Sequence, residues 1–290
     1  MAIIKEQMKV TALAGALGAD VAGLDLSQAL DAPTLAAVRE LWGRHLVLRF
    51  RGQQLTPLQL IAFSRQFGEL ERHDNYVADL RHEELPELLR VKATNVRGEK
   101  IVFGQQWHSD LSYTTRPSLG SCLYSLRTPS SGGDTLFASM IAAYDALSPA
   151  MQRFVDPLHC VHDITHGRIY QGRTWEQHAE SRKRNPPVVQ PMVRIHPPSG
   201  KKALFVSEWM CRRVVELAPD ESSALLAFLA AHCARPEFAL RQSWLPGDLL
   251  MWDNRATIHM ALADYAPGEP RELLRTSLVG EPLGELVAGA

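Results

Sequence analysis

The stretch Leu245-Pro-Gly-Asp-Leu-Leu-Met-Trp252 shows the pattern that decides the fold, a turn signal followed at once by a short apolar run. Pro, Gly and Asp in succession end one element, and the run from Leu249 to Trp252 is too short for a typical helix, so we predict a strand. Similar short strand-like runs, several of them separated by turn signals, recur through the rest of the chain. They cover residues 45–50, 121–126, 188–195, 203–206, 238–244 and 274–279.

Helical patterns are fewer than strand patterns. They cover residues 35–42, 56–68, 139–154 with an interruption near Pro149, and 220–234. Helices combined with many short strands and long connections favour a jelly-roll or sandwich core over an alternating βαβ fold. We therefore predict an α+β fold with a double-stranded β-helix (jelly-roll) core and flanking helices, in one domain over residues 1–290.

Composition excludes several classes of protein. The 31 Lys and Arg against 32 Asp and Glu give a formal net charge of -1, so a nucleic-acid partner is not expected. The longest apolar stretch, 224–231, is far too short to span a membrane, and residues 1–10 lack a secretory pattern. The four cysteines are scattered without a Cys-x-x-Cys pair, which argues against disulfides and against a cysteine-built zinc site. We expect a cytoplasmic protein.

The segment Trp107-His-Ser-Asp110 is the sharpest chemical signal in the chain. On an extended strand, residues two apart point to the same face, so His108 and Asp110 would share one space. An isolated pattern of this kind is typical of a solvated strand, but His259 follows another strand in apolar surroundings. Two imidazoles and one carboxylate leave three positions open on a divalent metal, as in non-heme Fe(II) oxygenases.

These segments together resemble the taurine dioxygenase/TfdA family of Fe(II)- and 2-oxoglutarate-dependent oxygenases over nearly the whole chain. The matching stretches are 18–25, 63–68, 131–135, 142–147, 251–255 and 275–281. The resemblance implies that His108, Asp110 and His259 ligate Fe(II), and that Thr135 and Arg271 bind the cosubstrate 2-oxoglutarate. It also implies that the enzyme consumes O2, releases succinate and CO2, is sustained by ascorbate, and forms a homo-oligomer, a dimer or a tetramer.

The same resemblance implies where the substrate binds. His73, Tyr76 and Arg275 stand where taurine-type members hold the substrate anion, although Arg271 and Arg275 could exchange roles. Leu111 would pack against the reacting carbon. Arg168 and Met210 replace aromatic residues of the taurine pattern and change the volume and charge of the pocket. We expect the substrate to be a small organic anion: a sulfonate such as taurine, an alkyl sulfate, or an aryloxy or alkyl carboxylate.

Alternative functions use the same residues differently. A zinc-dependent hydrolase could employ the His/Asp/His set with metal-bound water, but it would leave Thr135 and Arg271 without a role. A non-catalytic ligand sensor is a further alternative. The run His159, His162 and His166 could be interpreted as a second metal site, but we predict a structural role or a place in a lid over the pocket.

Overall fold

Short β-strands in four sheets make up most of the regular structure. In the computed structural model of the chain, residues 8–73, 81–96, 99–102, 104–167 and 174–287 are described. The strands within these ranges are β1 Lys9–Ala12, β2 Ala19–Ala22, β3 Val47–Phe50, β4 Leu89–Val96, β5 Glu99–Val102, β6 Gly120–Arg127, β7 Thr135–Ser139, β8 His159–His162, β9 Val188–Pro191, β10 Val193–His196, β11 Lys201–Leu204, β12 Cys211–Val214, β13 Ala239–Gln242, β14 Leu249–Asp253, β15 Thr257–Ala261, β16 Glu272–Leu278 and β17 Glu285–Leu286.

The helices flank these sheets. They are α1 Ala32–His45, α2 Pro57–Arg65, α3 Met140–Asp145, α4 Pro149–Val155, α5 Trp175–Arg184 and α6 Pro219–Cys233, with short 3-10 turns at Ile164–His166 and Pro236–Phe238. None of the helices in the described ranges combines the length and the apolar composition that a bilayer crossing requires.

The sheets differ in size and are almost entirely antiparallel. The largest has the order β1-β2-β3-β14-β6-β16-β4-β5, and only its β2–β3 pair is parallel. The others have the orders β12-β8-β9-β17, β13-β7-β15 and β10-β11. The predicted mixture of helices and short strands, without βαβ alternation, is confirmed.

Local capping explains where the helices begin. Asp31 accepts a hydrogen bond from the N–H of Thr34 at the start of α1, and Thr56 with Gln59 forms a capping box at the start of α2. The predicted helix over 139–154 is two helices, because Ser148 caps α4 and Pro149 occupies its first turn.

Two predicted strand boundaries are wrong. The run 188–195 is divided at Met192 into β9, which pairs with β8, and β10, which pairs with β11. The run 203–206 is displaced, because the β10–β11 hairpin pairs residues 201–204. In both places partner strands set the boundaries, which apolar patterning does not specify.

β14 is buried on both faces, which explains its unbroken apolar sequence. Leu250 and Trp252 pack into the apolar cluster that also contains Phe137 of β7. Leu249 and Met251 point the other way, into the cluster with Phe63 of α2 and other residues of the helical side. The two-residue period of a strand assigns neighbouring side chains to opposite layers.

A buried ionic group closes the turn from β14 to β15. The Asp253 carboxylate accepts hydrogen bonds from Arg255 at 2.6–2.9 Å and lies 3.0 Å from His196 Nε2. Burial alone would raise the pKa of Asp253, but Arg255 and His196 lower it to about 2. This carboxylate therefore holds the turn that leads to His259.

Replacing Asp253 with alanine should lower the free energy of unfolding by about 3–5 kcal/mol, because it leaves the largely buried Arg255 guanidinium without its counter-charge. Urea denaturation at pH 7 followed by circular dichroism measures the change. Asp156→Ala is the matched control, since Asp156 pairs with Lys202 at the surface, and we expect it to cost less than about 1 kcal/mol. Equal losses in the two variants would contradict this account.

Candidate active site

Two backbone hydrogen bonds bring His108 and His259 together across 151 residues of chain. The N–H of His108 donates to the carbonyl of His259 at 3.0 Å, and the N–H of His259 donates back at 2.8 Å. This isolated antiparallel bridge places the two imidazole rings 4.2 Å apart, measured between centroids. The residues between the two histidines form strands and helices of the fold.

The prediction of an extended strand from His108 to Asp110 is wrong. His108 lies in the isolated bridge, whereas Asp110 begins a turn, and Leu111 has a left-handed backbone with φ of 54°. The turn is held by Asn254, whose carbonyl accepts from Ser109 Oγ at 2.8 Å. The side chains of His108 and Asp110 still point into one space. Contacts with residues distant in sequence hold this segment in place although it forms no strand ladder.

The imidazoles and the carboxylate face one another. His108 Nε2 and His259 Nε2 each lie 3.9 Å from an oxygen of Asp110, and all three side chains are buried. These ligand-type atoms lie within 4.8 Å of one another. The geometry is that of two histidines and one carboxylate around a single cation.

Electrostatics favour the ligand forms of these groups. Burial lowers the pKa of His108, and burial together with the neighbouring His108 lowers that of His259, so both imidazoles are neutral near pH 7. Burial acts to raise the pKa of Asp110, but Arg275 and the two histidines hold it well below its ordinary value. Neutral imidazoles and an ionised carboxylate are the forms that bind a metal.

Neighbouring polar groups hold these side chains in their orientations. The sequence alone does not single out these groups. His108 Nδ1 lies 2.7 Å from the carbonyl of Gln106, so its Nε2 faces Asp110. Ser121 Oγ donates to Asp110 Oδ2 at 2.8 Å, and Asn254 Nδ2 donates to Ser121 at 3.3 Å. Asn254 falls within the matching stretch 251–255, but nothing in the sequence marks Ser121.

Thr135 and Arg271 line the same cavity as the two histidines. Arg271 Nε donates to the carbonyl of Gly133 at 2.7 Å, and its Nη2 donates to Thr135 Oγ1 at 3.3 Å. Its buried Nη1 has no hydrogen-bond partner within the described ranges. Thr135 Oγ1 also accepts from Trp244 Nε1 at 3.0 Å, so its own hydrogen remains to donate. A carboxylate would satisfy both donors.

Arg275 lies beside Asp110. Its Nη1 donates to Asp110 Oδ1 at 2.8 Å, and its guanidinium is nearly inaccessible to solvent. Arg271 and Arg275 are four residues apart at the start of β16 and line the same cavity as His108 and His259. The two guanidinium groups therefore occupy different positions, one next to the carboxylate and one next to Thr135.

The other residues that were predicted to bind the substrate do not lie in one group. Leu111 and Met210 pack with Tyr113 and Trp209, and the Trp209 ring lies 4.8 Å from the ring of His108. His73 is buried, and its N–H donates to the carbonyl of Pro86 at 2.8 Å. Tyr76 and Arg168 lie outside the described residues, so their predicted roles stay predictions.

The fold and this geometry define a protein with a candidate mononuclear site of two histidines and one carboxylate. The sequence profile of the taurine catabolism dioxygenase TauD, TfdA family matches residues 9–277. The chain therefore belongs to this family, as the sequence analysis predicted.

Individual relatives match along nearly their full lengths. The alpha-ketoglutarate-dependent 2,4-dichlorophenoxyacetate dioxygenase of Cupriavidus pinatubonensis is 35% identical over 91% of this chain and 94% of that protein. The alpha-ketoglutarate-dependent sulfate ester dioxygenase of Pseudomonas putida is 31% identical over 96% and 92%. The crystal structure of a taurine dioxygenase from Burkholderia xenovorans has a TM-score of 0.83 and 32% identity, and covers 98% of this chain and 96% of that one.

Mn²⁺, which prefers nitrogen and oxygen ligands, should stabilise the chain through the His/Asp/His group. At about 100 times its Kd the free energy of unfolding should rise by about 2.7 kcal/mol, measured by urea denaturation with and without the ion. The rise should disappear in His259→Ala and persist in His159→Ala, whose imidazole is exposed on β8. Stabilisation by Mn²⁺ that survives in His259→Ala would show that the ion binds elsewhere.

Proposed function

We propose that this chain is an Fe(II)- and 2-oxoglutarate-dependent dioxygenase that hydroxylates a small organic anion and releases succinate and CO2. The observation that carries the proposal is the pairing of two features in one cavity. One is the His108, Asp110 and His259 group, and the other is the Nη1 of Arg271, which lies near the Thr135 hydroxyl and has no hydrogen-bond partner among the described residues. The proposal includes one catalytic domain over residues 1–290, built on a jelly-roll core.

The donor set fits Fe(II). Two imidazole nitrogens and one carboxylate oxygen suit this ion and leave positions for further ligands. When bound, Fe(II) would supply the redox chemistry by which O2 oxidises 2-oxoglutarate and hydroxylates a C–H bond of the substrate. Ser121 and Gln106 hold Asp110 and His108 in the orientation that this ion requires.

Arg271 is the residue we assign to the far carboxylate of 2-oxoglutarate. Its guanidinium and the Thr135 hydroxyl offer two donors to one carboxylate, and both residues line the cavity that contains the two histidines. The keto-acid end of the molecule would then point toward the three ligands. Arg275 is already paired with Asp110, so it positions that carboxylate and faces the space left for a substrate anion.

A small organic anion is the substrate class that the surroundings and the relatives support. The relatives named above act on an aryloxy carboxylate and on sulfate esters, or are called a taurine dioxygenase. Leu111 and Met210 pack against Trp209, whose ring lies 4.8 Å from that of His108, and Arg275 provides the positive charge. Hydroxylation next to a C–O or C–S bond would give a product that breaks down to an aldehyde.

Gly104 affects the shape of this space. It adopts a φ of 86°, a conformation that favours glycine. A Cβ at this position would lie 3.0 Å from Cε1 of His108. The absence of a side chain therefore keeps this side of the His108 ring clear.

Arg271→Gln should raise the KM for 2-oxoglutarate by about 100-fold, since removing the charged partner of a buried carboxylate costs about 2–5 kcal/mol. The KM for the organic anion should change much less. Succinate release in the presence of Fe(II) and ascorbate measures both constants. Arg235→Gln, at an exposed pair with Glu237, is the control and should leave both unchanged. An unaltered KM for 2-oxoglutarate in Arg271→Gln would transfer the assignment to Arg275.

Succinate release should be stimulated by one or more anions in a panel of alkylsulfonates, alkyl sulfates and aryloxy carboxylates, and not by cationic amines of the same size. Electrostatic pairing with Arg275 is the reason for this selectivity. Stimulation by none of the anions, or by cations alone, would refute the substrate class. Hydrolysis of an ester by the zinc-loaded chain without 2-oxoglutarate would replace the proposal with the zinc-hydrolase alternative.

A further inference from the structure

A second group of metal-binding side chains lies outside the site described above. Cys160 and His162 are two residues apart on β8, and Cys211 at the start of β12 is the direct register partner of His162. All three side chains therefore project from the same face of the sheet β12-β8-β9-β17. Their ligand atoms, two sulfurs and one imidazole nitrogen, lie within 4.8 Å of one another, and all are buried.

Hydrogen bonds hold the imidazole in the orientation of a ligand. His162 Nδ1 lies 3.1 Å from Ser112 Oγ, and its Nε2 lies 3.4 Å from Cys211 Sγ. A hydroxyl or carbonyl on one ring nitrogen, with the other directed at the ion, is the usual arrangement of a metal-bound histidine.

The residue opposite Cys160 supplies an independent indication. Gln190 on β9 is the register partner of Cys160 and is fully buried. Its Nε2 donates to the carbonyls of Ser112 and Thr114 at 2.9 and 2.8 Å, which fixes the orientation of the amide. Its Oε1 is then left without a hydrogen-bond partner in the described part of the chain. An unsatisfied buried acceptor on this face is consistent with a bound cation or its water.

The strand register favours a metal bridge over a disulfide. Cys211 lies diagonally across from Cys160, and diagonal neighbours have α-carbons about 7–8 Å apart. Disulfides need about 4.4–6.8 Å, whereas two sulfurs bound to zinc remain well separated at about 2.3 Å from the ion.

We propose that Cys160, His162 and Cys211 bind Zn²⁺ as a structural ion, separate from the His108, Asp110 and His259 site. Thiolate and imidazole ligands select this thiophilic cation, and its binding displaces the thiol protons. The sequence argued against such a site because the cysteines are far apart along the chain, but strand pairing brings them together. The ion would fix the start of β12 next to Met210, and through Ser112 the turn next to Leu111.

Titration of the chelator-treated full chain with Co²⁺ tests this proposal. Cobalt bound to thiolate sulfur shows an intense near-ultraviolet charge-transfer absorption, which nitrogen and oxygen ligands alone do not produce. We expect this band to saturate at one equivalent, with a second equivalent binding at the His/Asp/His site, and Zn²⁺ to abolish the band by displacement. Absence of the band in the folded, reduced native chain would overturn the proposal without any variant.

Variants assign the band to particular residues. Cys160→Ser and Cys211→Ser should each remove it, whereas His259→Ala should retain it. Cys122→Ser is the matched control, because Cys122 is equally buried on β6 but lies outside the cluster. A band that survives in both Cys160→Ser and Cys211→Ser, or one lost in Cys122→Ser, would contradict the assignment.

A count of free thiols distinguishes a metal site from a disulfide. Recovery of only two of the four thiols after unfolding without reductant would indicate a disulfide and would also overturn the proposal.

Discussion

The buried carboxylate of Asp110 is the constraint on which the arrangement of this molecule depends. A carboxylate that is almost inaccessible to water must be compensated by charges and hydrogen bonds. Its partners are His108 in the same segment, Ser121 on the following strand β6, and two residues distant in sequence, His259 on β15 and Arg275 on β16. The large sheet brings β6 and β16 side by side. The strand order of this sheet therefore places Ser121 and Arg275 next to the buried carboxylate of Asp110.

The cavity of the candidate site is lined by residues of two sheets. β15 of the three-stranded sheet carries His259, and the neighbouring β7 begins with Thr135. β16 of the large sheet carries Arg275, with Arg271 just before it. The three-stranded sheet thus supplies one cation ligand, His259, together with the Thr135 hydroxyl, whereas the two guanidinium groups come from β16 and the residue before it. On the proposed function, a keto-acid extends within this cavity from the cation to the Arg271 guanidinium.

Much of this could be predicted from the sequence, because strand periodicity, helix caps and the spacing of His108, Asp110 and His259 are local or family-wide signals. The prediction of a strand at His108 failed because a single bridge to His259 replaces a strand ladder. Ser121 was missed because a serine in a buried strand gives no sign of its partner. The Cys160, His162 and Cys211 cluster was missed for the same reason, since only strand register brings its members together.

Because β14 is buried on both faces, its even-numbered and odd-numbered residues contact different layers of the molecule. Leu250 and Trp252 belong to the apolar layer that reaches the cavity, since the Trp252 ring lies 4.8 Å from that of His259. Leu249 and Met251 belong to the layer that packs against the helices. Substitutions at neighbouring positions of β14 should therefore affect different parts of the molecule, the candidate site at even-numbered positions and the helical layer at odd-numbered ones.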